Sequence, residues 1–209
     1  MYAIDKQPQP NSLTLYKRQH DATYDNLPSE VKAETKNALL AEQGYVCAYC
    51  MARIKFSKMR LEHWASQEGN TELQLDYNNM LACCQGNEGQ DKETHTCDKM
   101  KANLVLKYSP SNSEHRINSR VYYQGNGKIR SSEQDFDSQL NTVLNLNESR
   151  LMSNRVAALE AIHEKLNSRQ GTRTKQQIRA MRLEVLARNG SNKKKPYFGF
   201  LAQYLESKL

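Results

Sequence analysis

The sequence predicts an α+β protein with three parts: an N-terminal segment carrying one helix (1–43), a small strand-and-loop module (44–108), and a hairpin followed by basic helices (109–209). Five cysteines fall at 47, 50, 83, 84 and 97, inside a stretch with almost no hydrophobic periodicity. Helical spacing of apolar residues becomes strong only after residue 148. Charge divides at the same place. Residues 148–209 carry 13 Lys/Arg against 5 Asp/Glu, whereas residues 1–147 carry 17 against 18.

Residues 1–26 are polar and contain two prolines, so they are expected to be irregular. "NLPSEVKAETKNALLAEQG" reads as a helix, with Pro28 at its first position, Glu30 in its first turn and Gly44 as its stop. Val31, Ala38 and Leu39 supply its apolar face. In the module, "MRLEHW" is a short strand, and "ELQLDYNNMLACC" is an apolar run entering the second cysteine group. "QGNEGQDKETHT" is a loop and "CDKMKANLVLKY" a short helix. So little apolar surface needs a metal to fix it. The flanks of "GNG" at 125–127 form a hairpin. "SRLMSNRVAALEAIHEKL" places Leu151, Val156, Leu159, Ile162 and Leu166 near one face. "TRTKQQIRAMRLEVLARNG" does so with Ile178, Met181 and Val185, opening on a threonine cap. "NKKKP" is a linker, and "YFGFLAQYLESKL" a last amphipathic turn or two.

Mean hydropathy is −0.85. No run approaches the roughly 18 apolar residues of a membrane span, and "MYAIDKQPQPNS" lacks a signal pattern. No membrane association and a cytoplasmic location are therefore expected. An odd cysteine count in such a chain speaks against a disulfide framework. A disulfide between the adjacent Cys83 and Cys84 would be strained, which disfavours a redox-thiol protein.

A Cys-x-x-Cys pair brings two thiolates to one zinc, and a second pair completes the tetrahedron. Cys47 and Cys50 are the first pair. The second comes from Cys83, Cys84, His95 and Cys97. Cys84 with Cys97 is favoured, because it joins a strand end to a helix start. Cys83 then points away as a small buried residue, and a Cys3His site using His95 is the rival.

Between the two cysteine groups lies Glu62-His63. Phosphodiester hydrolysis needs a base, a cation for the developing charge, and rigid positioning of both. A neutral imidazole suits His63 to the first task. Glu62 is a hard oxygen ligand for Mg²⁺ or Mn²⁺, and Asp98, next to Cys97, is a second. Asn79 can brace the intervening loop, since its amide both donates and accepts.

The order "CAYC … LEHW … NNMLACC … CDKMK" resembles the HNH (ββα-metal) nuclease module over about residues 44–104. That resemblance implies that His63 is the general base, that Asn79 is the family's middle asparagine, and that Asp98 takes its last position. Glu62 stands where an aspartate is usual. Lys101 is implied as a phosphate contact. The chain departs in two respects: twelve residues separate Cys84 from Cys97, and Asp98 replaces an imidazole or amide, tilting the cation towards Mg²⁺ or Mn²⁺. More narrowly, "LDYNNMLACC" and "HTCDKMKAN" ahead of a helical C-terminal region are similar to the PtuB-like HNH subunits of Septu-type antiphage defence, which also occur beside retrons. This likeness implies an ABC-type ATPase partner (PtuA-like) and a retron reverse transcriptase–msDNA complex as a further one.

The leading expectation is a metal-dependent endonuclease acting on DNA, or on structured RNA such as tRNA. Structural Zn²⁺ sits on Cys47, Cys50, Cys84 and Cys97, and the catalytic cation on Glu62 and Asp98. Arg173, Arg179, Arg182, Lys193, Lys194 and Lys195 either hold nucleic-acid backbone or dock the partner. The alternative is a non-catalytic zinc-finger module. His20, His115 and His163 are expected to be solvated or helix-surface residues rather than ligands, and Trp64 to pack beneath the active-site loop.

Overall fold

The computed structural model describes residues 1–168 and 170–209. Among these, eight α-helices and two two-stranded sheets occur: α1 Asn11–Tyr16, α2 Ser29–Glu42, β1 Met59–His63, β2 Met80–Cys84, α3 Cys97–Lys101, α4 Ile117–Arg120, β3 Tyr122–Tyr123, β4 Ile129–Arg130, α5 Gln134–Thr142, α6 Ser149–Asn167, α7 Lys175–Leu186 and α8 Phe198–Glu206. The class is α+β, as predicted. None of the helices is long and apolar enough to cross a membrane.

α2 begins one residue later than expected. Pro28 is its N-cap and Gly44, at φ +65°, follows its C-cap Gln43. The expectation of an irregular residues 1–26 fails at α1, a six-residue helix whose cap position is Pro10, with no side-chain cap bond to announce it. It survives because Leu13 and Tyr16 are buried; a helix this short has no independent stability. α7 opens on the expected threonine: Thr174 and Gln177 form a reciprocal capping box.

Two hydrophobic cores are present among the described residues. The larger runs from Met1 to Leu151 and gathers α2, β1, β2, the cysteines and α5. It therefore crosses the sequence boundary expected at 108/109. The smaller packs α6, α7 and α8 around Phe198, Phe200, Leu201 and Leu205, with Val46 and Met51 from the cysteine turn. Burying each such side chain stabilises by about 1.5–3 kcal/mol, enough to hold the nine-residue α8.

β1 and β2 pair antiparallel, with Met59 opposite Cys84 and His63 opposite Met80. One end of the ribbon therefore carries a sulfur and the other the candidate base. A lone two-stranded ribbon is marginal in water. Here Gln43, at the end of α2, brackets Ala82: its Oε1 accepts from the Ala82 N–H (2.8 Å) and its Nε2 donates to the Ala82 carbonyl (2.8 Å).

Candidate metal cluster and active site

The Cys47–Cys50 turn is closed by Met51 N–H donating to Cys47 O (3.0 Å) and hung on β2 by Ala48 N–H donating to Ala82 O (3.0 Å). Cys84 ends β2. Cys97 opens α3 at φ +54°, its N–H tied to Leu144 O (2.9 Å). The turn after Cys84 comes very close to the residue before Cys97. Thr96 N–H donates to Gly86 O, and a Cβ on Gly86 (φ +58°) would lie 2.0 Å from Thr96 O. Only glycine fits there.

The four sulfurs of Cys47, Cys50, Cys84 and Cys97 lie within 4.8 Å of one another, a set able to hold a metal ion such as zinc. Cys50 Sγ and Cys84 Sγ are 3.8 Å apart. A tetrahedron with 2.3 Å metal–sulfur bonds has an edge of about 3.8 Å. Burial alone would push the Cys47 thiol up. Hydrogen bonds from Cys50, Cys83, Cys84 and Cys97 outweigh it and hold Cys47 well below the usual thiol range. His95 stands apart, its Nε2 on the Gln90 carbonyl (3.1 Å). Cys83 is buried and lies outside the four-sulfur set, though close enough to hydrogen-bond Cys47. Cys84→Ala should cost the protein its metal, whereas Cys83→Ala should keep one ion per chain; metal analysis of the two purified variants separates them.

At the far end of β1, Glu62 is buried. Its Oε1 accepts from Tyr49 Oη (2.8 Å) and pairs with Lys101 Nζ (3.0 Å). Burial first, then the Asp98 carboxyl against it, push Glu62 well above the usual carboxylate range, opposed by Lys101. A hard cation between two such acids would relieve that repulsion, so the pair fits an Mg²⁺-type ion that takes its remaining ligands from water and phosphate. Asp98 also receives Arg60 Nη1 (3.3 Å).

The ring of His63 is fixed through both nitrogens. Nε2 lies 2.9 Å from the Gln74 carbonyl, which can only accept, so Nε2 carries the proton. Nδ1 is then the lone-pair nitrogen and receives the Gln67 amide at 2.9 Å. Tyr24 packs edge-on at 4.6 Å between centroids. Burial lowers the His63 pKa, so the ring is neutral near pH 7. It is 7% exposed, more enclosed than a base open to solvent. Asn79 accepts from Ala65 N–H (2.8 Å) and donates to the carbonyls of Ala65 (3.0 Å) and Leu73 (3.3 Å), bracing the loop between the strands. Glu62, His63, Gln67 and Asp98 line one cleft of about 450 Å³, with Arg60 and Lys99.

No family model and no curated protein matches this chain.

Several expected roles are corrected. Lys101 is not available to phosphate: it is 0% exposed, and its ammonium donates to the His63 carbonyl (3.1 Å) and pairs with Glu62. Among the basic candidates, Arg173 caps the end of α6 through the Leu166 and Lys165 carbonyls (3.0 and 2.9 Å). Arg182 pairs with Glu206. Lys194 turns inward to the Leu186 carbonyl and over the Phe198 ring. Arg179, Lys193 and Lys195 remain exposed. His115 is no bystander either; its Nδ1 accepts from Ser109 N–H (2.8 Å), and it packs on the half-buried Trp64.

Tyr49, Arg60, Gln67 and Gln74 are missing from the sequence-based site. Two of them left a trace. Tyr49 sits inside "CAYC", and Arg60 shares a strand face with Glu62 by the period of two. The glutamines left none, because their roles depend on how the loop closes.

Proposed function

We propose that the protein is a metal-dependent HNH-type endonuclease that hydrolyses nucleic-acid phosphodiester bonds, in DNA or in structured RNA such as tRNA. The observation that carries this reading is the shared cleft: His63, Glu62 and Asp98 all line it. His63 Nδ1 takes the proton of the attacking water, whose place the Gln67 amide now occupies, while the bond from Nε2 to Gln74 keeps the tautomer correct. Glu62 and Asp98 would hold Mg²⁺ or Mn²⁺, which would supply positive charge for the phosphate and the leaving 3′-oxygen. Asn79 keeps the loop in register, Lys101 orients Glu62, and Arg60 and Lys99 face the phosphate. The four-cysteine set holds a structural Zn²⁺. The likeness to PtuB-like subunits supports a cytoplasmic antiphage effector with an ABC-type ATPase (PtuA-like) and a retron reverse transcriptase–msDNA complex as partners. Arg179, Lys193 and Lys195 are available for docking.

The enclosure of His63 favours a second reading, a non-catalytic zinc module in which the ring is only a structural clasp. His63→Ala decides between them. Incubated with DNA and RNA panels and Mg²⁺ or Mn²⁺, with and without the ATPase, the variant should lose cleavage by about 10²- to 10⁴-fold, with zinc content and circular dichroism retained. Unchanged cleavage removes His63 as the base. In the parent, burial favours the neutral ring, so the acid limb of the pH–rate profile should lie below about 6.5, the usual imidazole value.

A further inference from the structure

The segment "RIKFSKMR", residues 53–60, carries four cations and no acid, and it runs from the cysteine turn directly into β1. Lys55 and Lys58 are exposed on it. With Arg150, at the start of α6, they line a second cleft of about 500 Å³ that reaches Cys50 and Cys84. The one carboxylate among its lining residues is Glu88. Glu88 is already engaged by two cations of the first cleft: it pairs with Arg60 and lies 3.3 Å from Lys99 Nζ. Glu88 of the second cleft is therefore bonded directly to Arg60 and Lys99 of the first, and Arg150, Lys55 and Lys58 on one side are joined through it to Arg60, beside Asp98, on the other. Phe56 is 42% exposed between the two lysines, with Lys36 Nζ 4.8 Å from its ring centroid, which adds a fifth cation at the margin. Arg53 takes no part. Its guanidinium is spent on the Gly44 and Tyr45 carbonyls (3.0 Å each).

We infer that this stripe, rather than the C-terminal helices, is the track along which a nucleic-acid backbone approaches the candidate active site. The inference rests on the nuclease reading above. The chemistry recognised is a row of phosphates, and Glu88 acts as the stand-in anion that holds Arg60 and Lys99 until a phosphate replaces it. Paired cations lining a groove that leads to a reactive cleft raise the local concentration of a polyanion; the exposed Lys175 and Arg179 of α7 line neither of these two clefts.

Binding is measured apart from cleavage, in the His63→Ala background, by fluorescence anisotropy over a salt series with a short mixed-sequence DNA duplex and a single-stranded RNA as probes. Lys55→Glu/Lys58→Glu/Arg150→Glu should weaken binding more than about tenfold. It should also flatten the salt dependence by about 0.9 in log–log slope for each duplex phosphate that is no longer neutralised. Glu88→Gln should tighten binding severalfold, and Arg179→Glu/Lys193→Glu should leave it near the parent value. All these positions are exposed or half-exposed, so zinc content and circular dichroism should not change. The inference is overturned if the triple variant binds like its parent with the same slope, if the Arg179/Lys193 variant carries the loss, or if the triple variant loses only capture of the ATPase subunit. The two readings fail separately. A wild-type chain that binds with the expected slope but cleaves nothing retains the track and loses the nuclease; a triple variant that cleaves and binds as well as wild type retains the nuclease and loses the track.

Discussion

Stripping the metal from the four-cysteine cluster is expected to lower the melting temperature by more than about 20 °C and to expose the amides of residues 44–104 to solvent exchange. A structural zinc on four thiolates contributes on the order of 10 kcal/mol to folding, and in a chain of this size each kcal/mol moves the midpoint by about 2–4 °C. The elements around the cluster cannot replace it. β1 and β2 make a ribbon of five residues each, and α3 has five residues, lengths that do not persist alone. The check is a melt followed by circular dichroism with and without a high-affinity chelator, alongside hydrogen exchange. A protein purified free of metal, with the same midpoint in both conditions, would refute the expectation.

The second large effect concerns a lysine. Lys101→Met removes the ammonium that pairs with Glu62 and leaves that carboxyl buried against Asp98, with only the Tyr49 hydroxyl as donor. Breaking a buried pair from one side costs about 3–5 kcal/mol, whereas removing both charges is near neutral. Urea melts should therefore show a deficit of that size for Lys101→Met and recovery of most of it in Lys101→Met/Glu62→Gln. The pH dependence follows from the sign of the shift. The folded-state pKa of Glu62 already stands above its unfolded value, and loss of Lys101 raises it further. The neutral acid is what the variant fold tolerates, so variant and parent converge at the pH values where Glu62 is protonated in both folds. Its deficit grows as pH rises through the folded pKa and then levels off. Parent-like stability at neutral pH, or a deficit indifferent to pH, would count against the buried pair.

These two cases mark what the sequence could and could not disclose. The choice of Cys84 over Cys83 was legible, because Cys84 closes a strand and Cys97 opens a helix, so one ion can join unlike elements. The segments carrying Glu62, His63, Asn79 and Asp98 were legible as short strand, loop and helix. The burial of Lys101 was not. A lysine three residues beyond Asp98 reads as a surface cation until the acid beneath it is seen. α1 was hidden because nothing caps it, and the 53–60 stripe because its charge averages away over 147 nearly neutral residues. Arg173 and Arg182 misled for the converse reason: in a basic region, arginines that serve helix ends and ion pairs cannot be told by count from those that stay free.

The C-terminal layer is stitched to the cysteine turn by backbone bonds, Tyr197 N–H to the Met51 carbonyl (3.0 Å) and Lys194 N–H to the Gly44 carbonyl (3.0 Å), while Arg188 clasps the last carbonyls of α2. A load on the closing helices is thus carried straight to the sulfur-bearing loop. The tail is therefore part of the scaffold on which a metal ion held by those sulfurs would depend, and not a passenger.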